Sequence, residues 1–506
     1  MHSGRRLIAI GAVLAAVSCA IVIHADVTPS SQAAEVQMQL GRQLMAEGRY
    51  IEALQAFQNA MNAPVPADPR TARTGVVQAA LRVAEFNLAR ATADDLARMA
   101  PKDPDVTALH ADALWASGLF EEAEARYEDA LAMAPDLARA RHGLARSLAA
   151  RSRLDRALDE AQAALRLAPR DLEIHHTVGF IFERMNRYEE AAGAFTNYLN
   201  LLPNKDTSEK ATWSRSEIKF LRSFGQRTPY ELAPGDEDRS FTVPFRVEND
   251  KVVVRARVND SAPRDFVVDT GAENTMLSGP TARRLGVTPV AYTLTAGVGG
   301  LGLRGLQLAR INSLEIGDLK LRNVAATIRD PPLRDLPVNE TDSISPLAFG
   351  FSMIVDYGAR TLTMARRLPD ETADFELPLR MHRLAMVRGT VEGTLPANFV
   401  VDTGGQVLSI SHATASALNR PMPERRIALK VFGSSGWDED AFLLPNVDLR
   451  FDAIRYENFP VVVINLQMPS ALLGVQLGGT VGHRFLSRYR VTIDLDRSVL
   501  RLTSIS

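Results

Sequence analysis

Cysteine is almost absent from this chain of 506 residues, which contains only Cys19. A single cysteine cannot form a disulfide within the chain, and it cannot supply a cysteine-based metal site. An excess of charge of one sign is also lacking, because 58 Lys and Arg residues stand against 60 Asp and Glu residues. Without a basic excess, the composition gives no electrostatic reason to expect nucleic acid as a partner.

Two common classes of hydrolase find no support in the sequence either. It contains no G-x-S-x-G nucleophile elbow of the kind that presents a catalytic serine. His175 and His176 are adjacent, but no second pair of ligands lies at metal-binding spacing, so packing or solvent exposure explains them better. The sequence therefore predicts no metal and no cofactor.

The first 33 residues are predicted to be an export signal or an N-terminal membrane anchor. Arg5 and Arg6 precede an apolar run, Leu7–Ile23, and Ala25 is a small residue suited to cleavage. The run is also just long enough for a tilted membrane helix. A third alternative is a lipoprotein signal at Cys19, which is less favoured because the apolar run continues past it. Each alternative predicts an exported protein, either periplasmic or membrane-anchored and facing outward.

Residues 34–205 are rich in alanine and repeat with a period of 34 residues, which separates Phe120, Leu154 and Tyr188. The same spacing recurs in four prolines, namely Pro101, Pro135, Pro169 and Pro203. The pattern resembles tetratricopeptide repeats, which implies five pairs of antiparallel helices stacked into an all-α solenoid. The second unit, near residues 71–104, matches the pattern least well. The resemblance also implies a concave face that binds a peptide or a protein partner.

The chain changes character after the repeats. Within residues 206–240, Trp213–Phe224 is predicted to form a capping helix, and the polar stretch Tyr230–Arg239 is predicted to be a linker. From residue 241 onward, apolar residues alternate with a period of two, which is typical of β-strands. Matching segments divide this all-β region into a first lobe, residues 241–373, and a second lobe, residues 374–506.

One six-residue stretch occurs in both lobes. Phe266–Gly271 and Phe399–Gly404 have the same sequence, an apolar strand that ends in Asp-Thr-Gly. Their matched settings predict that Asp269 and Asp402 lie face to face. Two carboxylates that share a site cannot both ionise easily, so one holds a proton while the other is charged. Such a pair contains an acid and a base, which together can activate a water molecule.

The paired Asp-Thr-Gly motif resembles the active site of aspartic proteases, most closely the retropepsin-like kind. The resemblance implies a two-lobed fold in which Asp269 and Asp402 are the catalytic residues and the lobes pair within one chain. It also implies that the threonine hydroxyls brace the paired loops and that the glycines allow tight turns. The residues that match these supporting roles are Thr270, Gly271, Thr403 and Gly404.

The resemblance further implies a loop that supports each catalytic loop and a flexible hairpin over the substrate. Gly482 matches the supporting loop of the second lobe, whereas Pro346 departs from it in the first. A glycine-rich stretch that includes Gly299 and Gly300 fits the first hairpin. In the second hairpin, Trp437 is predicted either to line a substrate subsite or to pack at the tip.

We therefore expect an aspartic endopeptidase that acts on a protein or peptide, with helical repeats that recruit the substrate or a regulator. One alternative is a non-catalytic, peptide-binding adaptor with a decayed protease fold, for which Pro346 is the best support. Another is a homodimer in which lobes pair between chains.

Overall fold

The computed structural model of the chain describes residues 29–63, 68–298, 304–329, 342–421, 426–433 and 435–505. Nearly all of the predicted export signal or anchor, including Cys19, thus lies outside the described residues. Among the helices within these ranges, none is long and apolar enough to cross a membrane.

The N-terminal half is a stack of helices. They are α1 (Pro29–Ala46), α2 (Tyr50–Met61), α3 (Pro69–Arg82), α4 (Phe86–Met99), α5 (Pro104–Ala116), α6 (Phe120–Met133), α7 (Ala138–Ala150), α8 (Leu154–Leu167), α9 (Leu172–Arg184), α10 (Tyr188–Leu201) and α11 (Glu209–Arg222). Phe120, Leu154 and Tyr188 each begin the second helix of a pair, as the 34-residue period requires. The predicted tetratricopeptide-type solenoid is confirmed, and its second unit has two complete helices despite its weak sequence match.

Small residues bring the helices close together. Tyr127 of α6 is fully buried and packs on Gly143 of α7, where an added Cβ would lie 2.1 Å from the tyrosine ring. Phe195 of α10 packs in the same way on Gly179 of α9. The aromatic residues of the repeat pattern are therefore core residues that fill the space between helices.

The two ends of the solenoid contact each other. The side chain of Asn204, which follows α10, donates a hydrogen bond of 2.7 Å to the carbonyl of Glu47, which follows α1. Arg82 of α3 forms an ion pair with Glu173 of α9. Arg82 also lies 5.8 Å from the centre of the Tyr50 ring, so a cation–π contact accompanies the ion pair. These contacts close the stack of repeats on itself.

The remainder of the chain is a two-lobed β-structure. The strands of the first half are β1 (Glu231–Leu232), β2 (Phe241–Pro244), β3 (Arg246–Glu248), β4 (Lys251–Val258), β5 (Arg264–Val268), β6 (Thr275–Ser278), β7 (Pro289–Thr295), β8 (Arg304–Ile316), β9 (Leu319–Arg329), β10 (Ser343–Ile344), β11 (Ser352–Asp356) and β12 (Thr361–Ala365). Those of the second half are β13 (Phe375–His382), β14 (Leu384–Val391), β15 (Leu395–Val401), β16 (Ser409–Ser411), β17 (Ile427–Ala428), β18 (Val431–Gly433), β19 (Gly436–Asp438), β20 (Phe442–Phe451), β21 (Ile454–Ile464), β22 (Gly479–Val481), β23 (Tyr489–Asp494) and β24 (Val499–Ser504). Short helices are α12 (Gly279–Arg284), a 3₁₀ turn (Pro346–Phe349), α13 (His412–Ser416), α14 (Gln467–Leu473) and α15 (His483–Leu486).

The two halves have the same strand order. In the first, β9, β6, β10, β5, β4 and β8 are neighbours, and in the second β21, β16, β22, β15, β14 and β20 follow the same sequence. The halves then share one sheet, ordered β2-β12-β11-β23-β24-β13, in which β11 pairs with β23 at the centre. This arrangement confirms the all-β, two-lobed fold, and in it the lobes pair within one chain.

The stretch predicted to be a linker is partly structured. Tyr230 is buried, and β1 pairs with β9 of the first lobe, so that Glu231 lies opposite Arg322 and Leu232 opposite Leu321. Sequence composition suggested a free connection because polar residues, proline and glycine dominate the stretch. A two-residue strand is too short to produce an alternating pattern that could reveal it.

The solenoid packs directly on the second lobe. Trp115 and Phe120 form one apolar cluster with residues of that lobe, among them Leu473 and Val475. The backbone carbonyl of Ala116 accepts a hydrogen bond of 2.7 Å from the amide of Gln476.

Charged and polar side chains border this apolar contact. Glu122 forms an ion pair of 2.7 Å with Arg388 of β14, and Glu121 forms one of 2.7 Å with Arg380 of β13. Helix α11 packs along β7 of the first lobe, where the hydroxyl of Ser216 donates to the carbonyl of Tyr292. The solenoid therefore contacts both lobes.

We expect Gly118→Ala to lower the free energy of unfolding, because Gly118 lies at the junction between solenoid and second lobe. Its φ is +78°, and an added Cβ would lie 1.7 Å from Nδ2 of Asn398, which donates to the Gly118 carbonyl. The backbone conformation alone should cost about 1 kcal/mol, and the clash should add to that. Urea unfolding midpoints measure the loss.

Two matched variants separate these contributions. Gly225→Ala has a φ of +57° but nothing within 4 Å of the added Cβ, so it reports the backbone cost. Gly193→Ala lies inside α10 with open space around it and should be neutral or stabilising by up to about 1 kcal/mol. Equal midpoints for the Gly118 and Gly225 variants would show that the junction is not tightly packed.

Candidate active site

The two Asp-Thr-Gly loops follow equivalent strands, β5 and β15. Each strand lies parallel to a short neighbour from its own lobe, β10 or β22. The amide of Asp269 donates to the carbonyl of Ile344 at 2.9 Å, and the amide of Asp402 donates to that of Val481 at 3.0 Å. The strand ends thus fix both aspartate backbones in the same way.

Reciprocal threonine hydrogen bonds join the two loops. The hydroxyl of Thr270 donates to the carbonyl of Val401 at 2.5 Å and accepts from the amide of Thr403 at 3.1 Å. The hydroxyl of Thr403 donates to the carbonyl of Val268 at 2.7 Å and accepts from the amide of Thr270 at 3.1 Å. Both threonines are fully buried, so these four bonds satisfy groups that water cannot reach.

The two carboxyl groups lie against each other's loops. A Cβ added to Gly271 would be 2.7 Å from Cγ of Asp402, and one added to Gly404 would be 2.5 Å from Cγ of Asp269. Each glycine therefore leaves space that the opposite carboxyl group occupies. The amides of Gly271 and Gly404 also donate to the aspartate of their own loop, at 3.0 and 2.9 Å. The structure thus brings the two predicted aspartates and both glycines together.

Enclosure by the protein changes the acidity of both aspartates. Burial, together with the charge of Asp269, raises the pKa of Asp402 to about 7. Burial also raises the pKa of Asp269, while Lys251, the amide of Gly271 and Arg329 act to lower it. Two strongly interacting carboxyl groups share one proton over the pH interval between their two ionisations. The site therefore contains one acid and one base in mildly acidic solution.

Comparison with known proteins supports this geometry. A protein-family model described as aspartyl protease matches the chain twice, over residues 254–344 and 387–477. Both lobes match the aspartyl protease family. Each match includes one Asp-Thr-Gly loop and the strand that precedes it, β5 or β15.

Other comparisons add little. No curated protein gives a significant match. A thermophilic TPR protein of Thermus thermophilus is 23% identical over 34% of this chain and 93% of its own, with a TM-score of 0.30. MamA of Desulfovibrio magneticus is 20% identical over 35% of this chain and 99% of its own, with a TM-score of 0.25. These TM-scores are too low to support an inference, so the repeat fold rests on the helix pairs themselves.

The supporting loops of the two lobes differ. In the second lobe Gly482 precedes α15, and an added Cβ would lie 2.6 Å from the carbonyl of Val407. The next amide, that of His483, donates to the carbonyl of Gly405 in the catalytic loop at 2.8 Å. Pro346 occupies the place of His483 in the first lobe, since each is the first residue after the cap of its short helix. Ser345 stands where Gly482 does, and proline is tolerated at the start of the 3₁₀ turn. The fold is kept, but proline has no N–H with which to repeat the His483 hydrogen bond.

The hairpins of the two lobes meet at their tips. Gly299 and Gly300, predicted for the first hairpin, lie outside the described residues. Their neighbour Gly297 donates from its amide to Oγ of Ser435 at 2.8 Å, and the amide of Ser435 donates to the carbonyl of Val298 at 2.9 Å. Ser435 belongs to the turn between β18 and β19 and is buried. These hydrogen bonds connect the hairpin of the first lobe to that of the second.

Trp437 lies on β19 opposite Phe432 of β18. Their rings meet edge to face with centroids 5.2 Å apart, and both remain partly exposed. The packing role predicted for Trp437 is therefore present in the structure. Its role in a substrate subsite stays a prediction.

Each lobe also extends a β-turn to the catalytic loop of the other lobe. Arg383, in the turn between β13 and β14, donates to Glu273 at 2.8 Å. In the opposite direction, Gln406 donates to the carbonyl of Asn249, in the turn between β3 and β4, at 3.0 Å. Glu273 and Gln406 hold the same position after their aspartates, so the two ends of the site carry different charges.

Sequence reasoning missed several of these groups. Arg383 and Ser435 act across lobes, and no local pattern distinguishes them from ordinary turn residues. Lys251 could have been found from the sequence. When the two lobes are aligned, Lys251 has the same position as Leu384, so only the first lobe has a cation there. Among the described residues, no cluster of three or more His, Cys, Asp or Glu side chains is arranged to hold a metal ion.

We expect Thr403→Val to lower both stability and any activity of the site. The variant removes a hydroxyl and leaves the amide of Thr270 and the carbonyl of Val268 buried without their partner. Each buried unpaired group costs about 1–3 kcal/mol. Thr403→Ser retains the hydroxyl and serves as the control, with urea unfolding as the measurement. If both variants unfold at the same urea concentration, the hydroxyl does not join the loops.

Proposed function

We propose that the chain is an aspartic endopeptidase that hydrolyses peptide bonds with Asp269 and Asp402. The observation that supports this most directly is that each of the two carboxyl groups contacts the glycine of the other's loop. The family match of both lobes supports the same reaction class. Neither observation depends on the solenoid.

The chemistry follows from the shared proton. The ionised aspartate removes a proton from a water molecule, whose oxygen then attacks the carbonyl carbon of the substrate. The protonated aspartate donates to the carbonyl oxygen, so that a neutral gem-diol forms rather than an unpaired oxyanion. Burial of the pair strengthens both interactions, because the surrounding dielectric constant is low.

The substrate is proposed to be an extended peptide between the aspartates and the paired hairpins. Strand-like edges near the site offer backbone hydrogen bonds, and pockets for alternate side chains provide selectivity. Because the hairpin tips are hydrogen-bonded to each other through Ser435, entry of a peptide requires those bonds to break and the tips to separate. Trp437 is proposed to line a subsite beneath the second hairpin.

The repeats are proposed to recruit a protein substrate or regulator as well as to support the β-region. Trp115, Phe120 and Gly118 already contact the second lobe, so a partner would bind the solenoid elsewhere. Export, supported by Arg5, Arg6 and the apolar run that follows, would place the enzyme in the periplasm or at the outer face of a membrane.

We expect Asp269→Asn and Asp402→Asn each to reduce peptide cleavage by at least about 100-fold, because either change removes the acid–base pair. The assay measures new peptide termini in a peptide mixture near pH 5. Activity should also fall as the pH rises through about 7, where Asp402 loses its proton.

Asp265→Asn is the matched control, since Asp265 lies exposed on β5, four residues before Asp269. It should cleave like the wild type, and a pepstatin-like inhibitor should block both. If all variants cleave equally and the inhibitor has no effect, Asp269 and Asp402 do not catalyse the cleavage, and the proposed activity is contradicted. Peptide binding without cleavage would instead favour the adaptor.

A further inference from the structure

We propose that Lys251 and Arg329 are positioning residues that hold Asp269 as the carboxylate and thereby leave the shared proton on Asp402. The location of the proton is a property of the site itself. Only the division of catalytic labour between the two aspartates rests on the proposed function.

The strand register places Lys251 beside Asp269. In the antiparallel pair of β4 and β5, Val253 lies opposite Val267. Two residues further along, the same register sets Lys251 opposite Asp269, with both side chains on the sheet face that Val253 and Val267 share. Lys251 is the first residue of β4 and is only partly exposed.

The second lobe has no cation at the equivalent place. In the pair of β14 and β15, Met386 lies opposite Val400, so the register sets Leu384 opposite Asp402. Leu384 is the first residue of β14, as Lys251 is of β4. The duplication thus gives one aspartate a lysine neighbour and the other a leucine neighbour.

Arg329 shows the same asymmetry. It lies opposite Ser278 in the parallel pair of β9 and β6, whereas Ile464 lies opposite Ser411 in the pair of β21 and β16. The two serines are equivalent, since each caps the short helix that follows its Asp-Thr-Gly loop. The guanidinium of Arg329 contacts the sulfur of Met276 at 2.8 Å, which directs it toward the first lobe.

The charges that face each aspartate agree with this arrangement. Lys251 and Arg329 both lower the pKa of Asp269 against the effect of burial. Asp402 faces the negative charge of Asp269, which raises its pKa, and its remaining favourable partners are the amides of its own loop and Lys251. Arg329 stabilises the charge of Asp269 in addition to Lys251, so ionisation of Asp269 is the less costly.

Lys251 acts on both aspartates because its turn crosses between lobes. The carbonyl of Asn249 accepts from Gln406, and Asp250 lies 3.6 Å from Arg484, so the start of β4 lies beside the second catalytic loop. The register nevertheless pairs Lys251 with Asp269 and Leu384 with Asp402.

This assignment gives each aspartate a defined role. Asp269 takes a proton from water as the new C–O bond forms, and Asp402 gives its proton to the carbonyl oxygen. When the C–N bond breaks, Asp269 returns its proton to the leaving nitrogen. One gem-diol hydroxyl then gives its proton to Asp402. The products are a carboxylic acid and an amine, and both aspartates recover their initial states.

The test uses two reagents that distinguish a carboxylate from a carboxylic acid in the full-length protein. An alkyl epoxide is opened by a carboxylate, and a diazoacetyl ester reacts with a protonated carboxyl group. At about pH 6, below the ionisation of Asp402, we expect the epoxide to esterify Asp269 and the diazo reagent to esterify Asp402. Peptide mapping by mass spectrometry should show a preference of about 10-fold for each reagent.

Variants at Lys251 test the cause. Lys251→Met should reduce the preference, and Lys251→Arg should restore it, which a purely structural role would not explain. Exchange of the two residues, Lys251→Leu with Leu384→Lys, should largely abolish it, because Arg329 then acts on Asp269 and the new lysine on Asp402. If the exchanged protein does not fold, Lys251→Met and Arg329→Met still decide the question, since each removes one cation.

Equal labelling of both aspartates in the wild type, or labelling that none of these variants changes, would overturn the proposal. Labelling does not require cleavage, so the outcome is independent of the proposed function. Selective labelling without peptide cleavage would support the assignment of the proton to Asp402 and contradict the proposed peptidase activity.

Discussion

The structure depends on four hydrogen bonds between Thr270 and Thr403 and the strand ends beside them. These bonds connect the two lobes at the point where Asp269 and Asp402 would otherwise repel each other. Each threonine supplies one donor and one acceptor, so every polar group of the joint is satisfied without water. The shared sheet holds the lobes together on a larger scale, with β11 of one half paired to β23 of the other. Acidic groups can be buried face to face only because the joint around them is fully hydrogen-bonded.

Duplication supplied the symmetric frame, and later differences made its two halves unequal. Pro346 replaces the amide donor that His483 provides. Glu273 with Arg383 forms a charged contact at one end of the site, while Gln406 with Asn249 forms a neutral one at the other. The two sides of the aspartate pair therefore have different surroundings. The helical region also contacts the lobes unequally. Trp115 and Phe120 join an apolar cluster with the second lobe, whereas Tyr188 and Phe220 belong to the larger core cluster that includes the first.

The sequence predicts much of this architecture because its signals are periodic or duplicated. The 34-residue spacing of Phe120, Leu154 and Tyr188 predicts the helix pairs, and the repeated Asp-Thr-Gly predicts the facing loops. Contacts between distant segments leave no comparable signal. The bond from Asn398 to Gly118 joins residues 280 positions apart. The contact between the two ends of the solenoid, the hydrogen bonds between the hairpin tips and the pairing of β1 with β9 also left no signal. Each of them forms between elements that are far apart in the sequence.

The central claim is that two carboxyl groups share one proton, and carbon-13 NMR titration of labelled aspartates tests it most directly. We expect Asp402 to titrate near 7 in the wild type and at a lower pH in Asp269→Asn, where the neighbouring charge is gone. Two aspartates that titrate independently near about 4, each unaffected by neutralisation of the other, would contradict it.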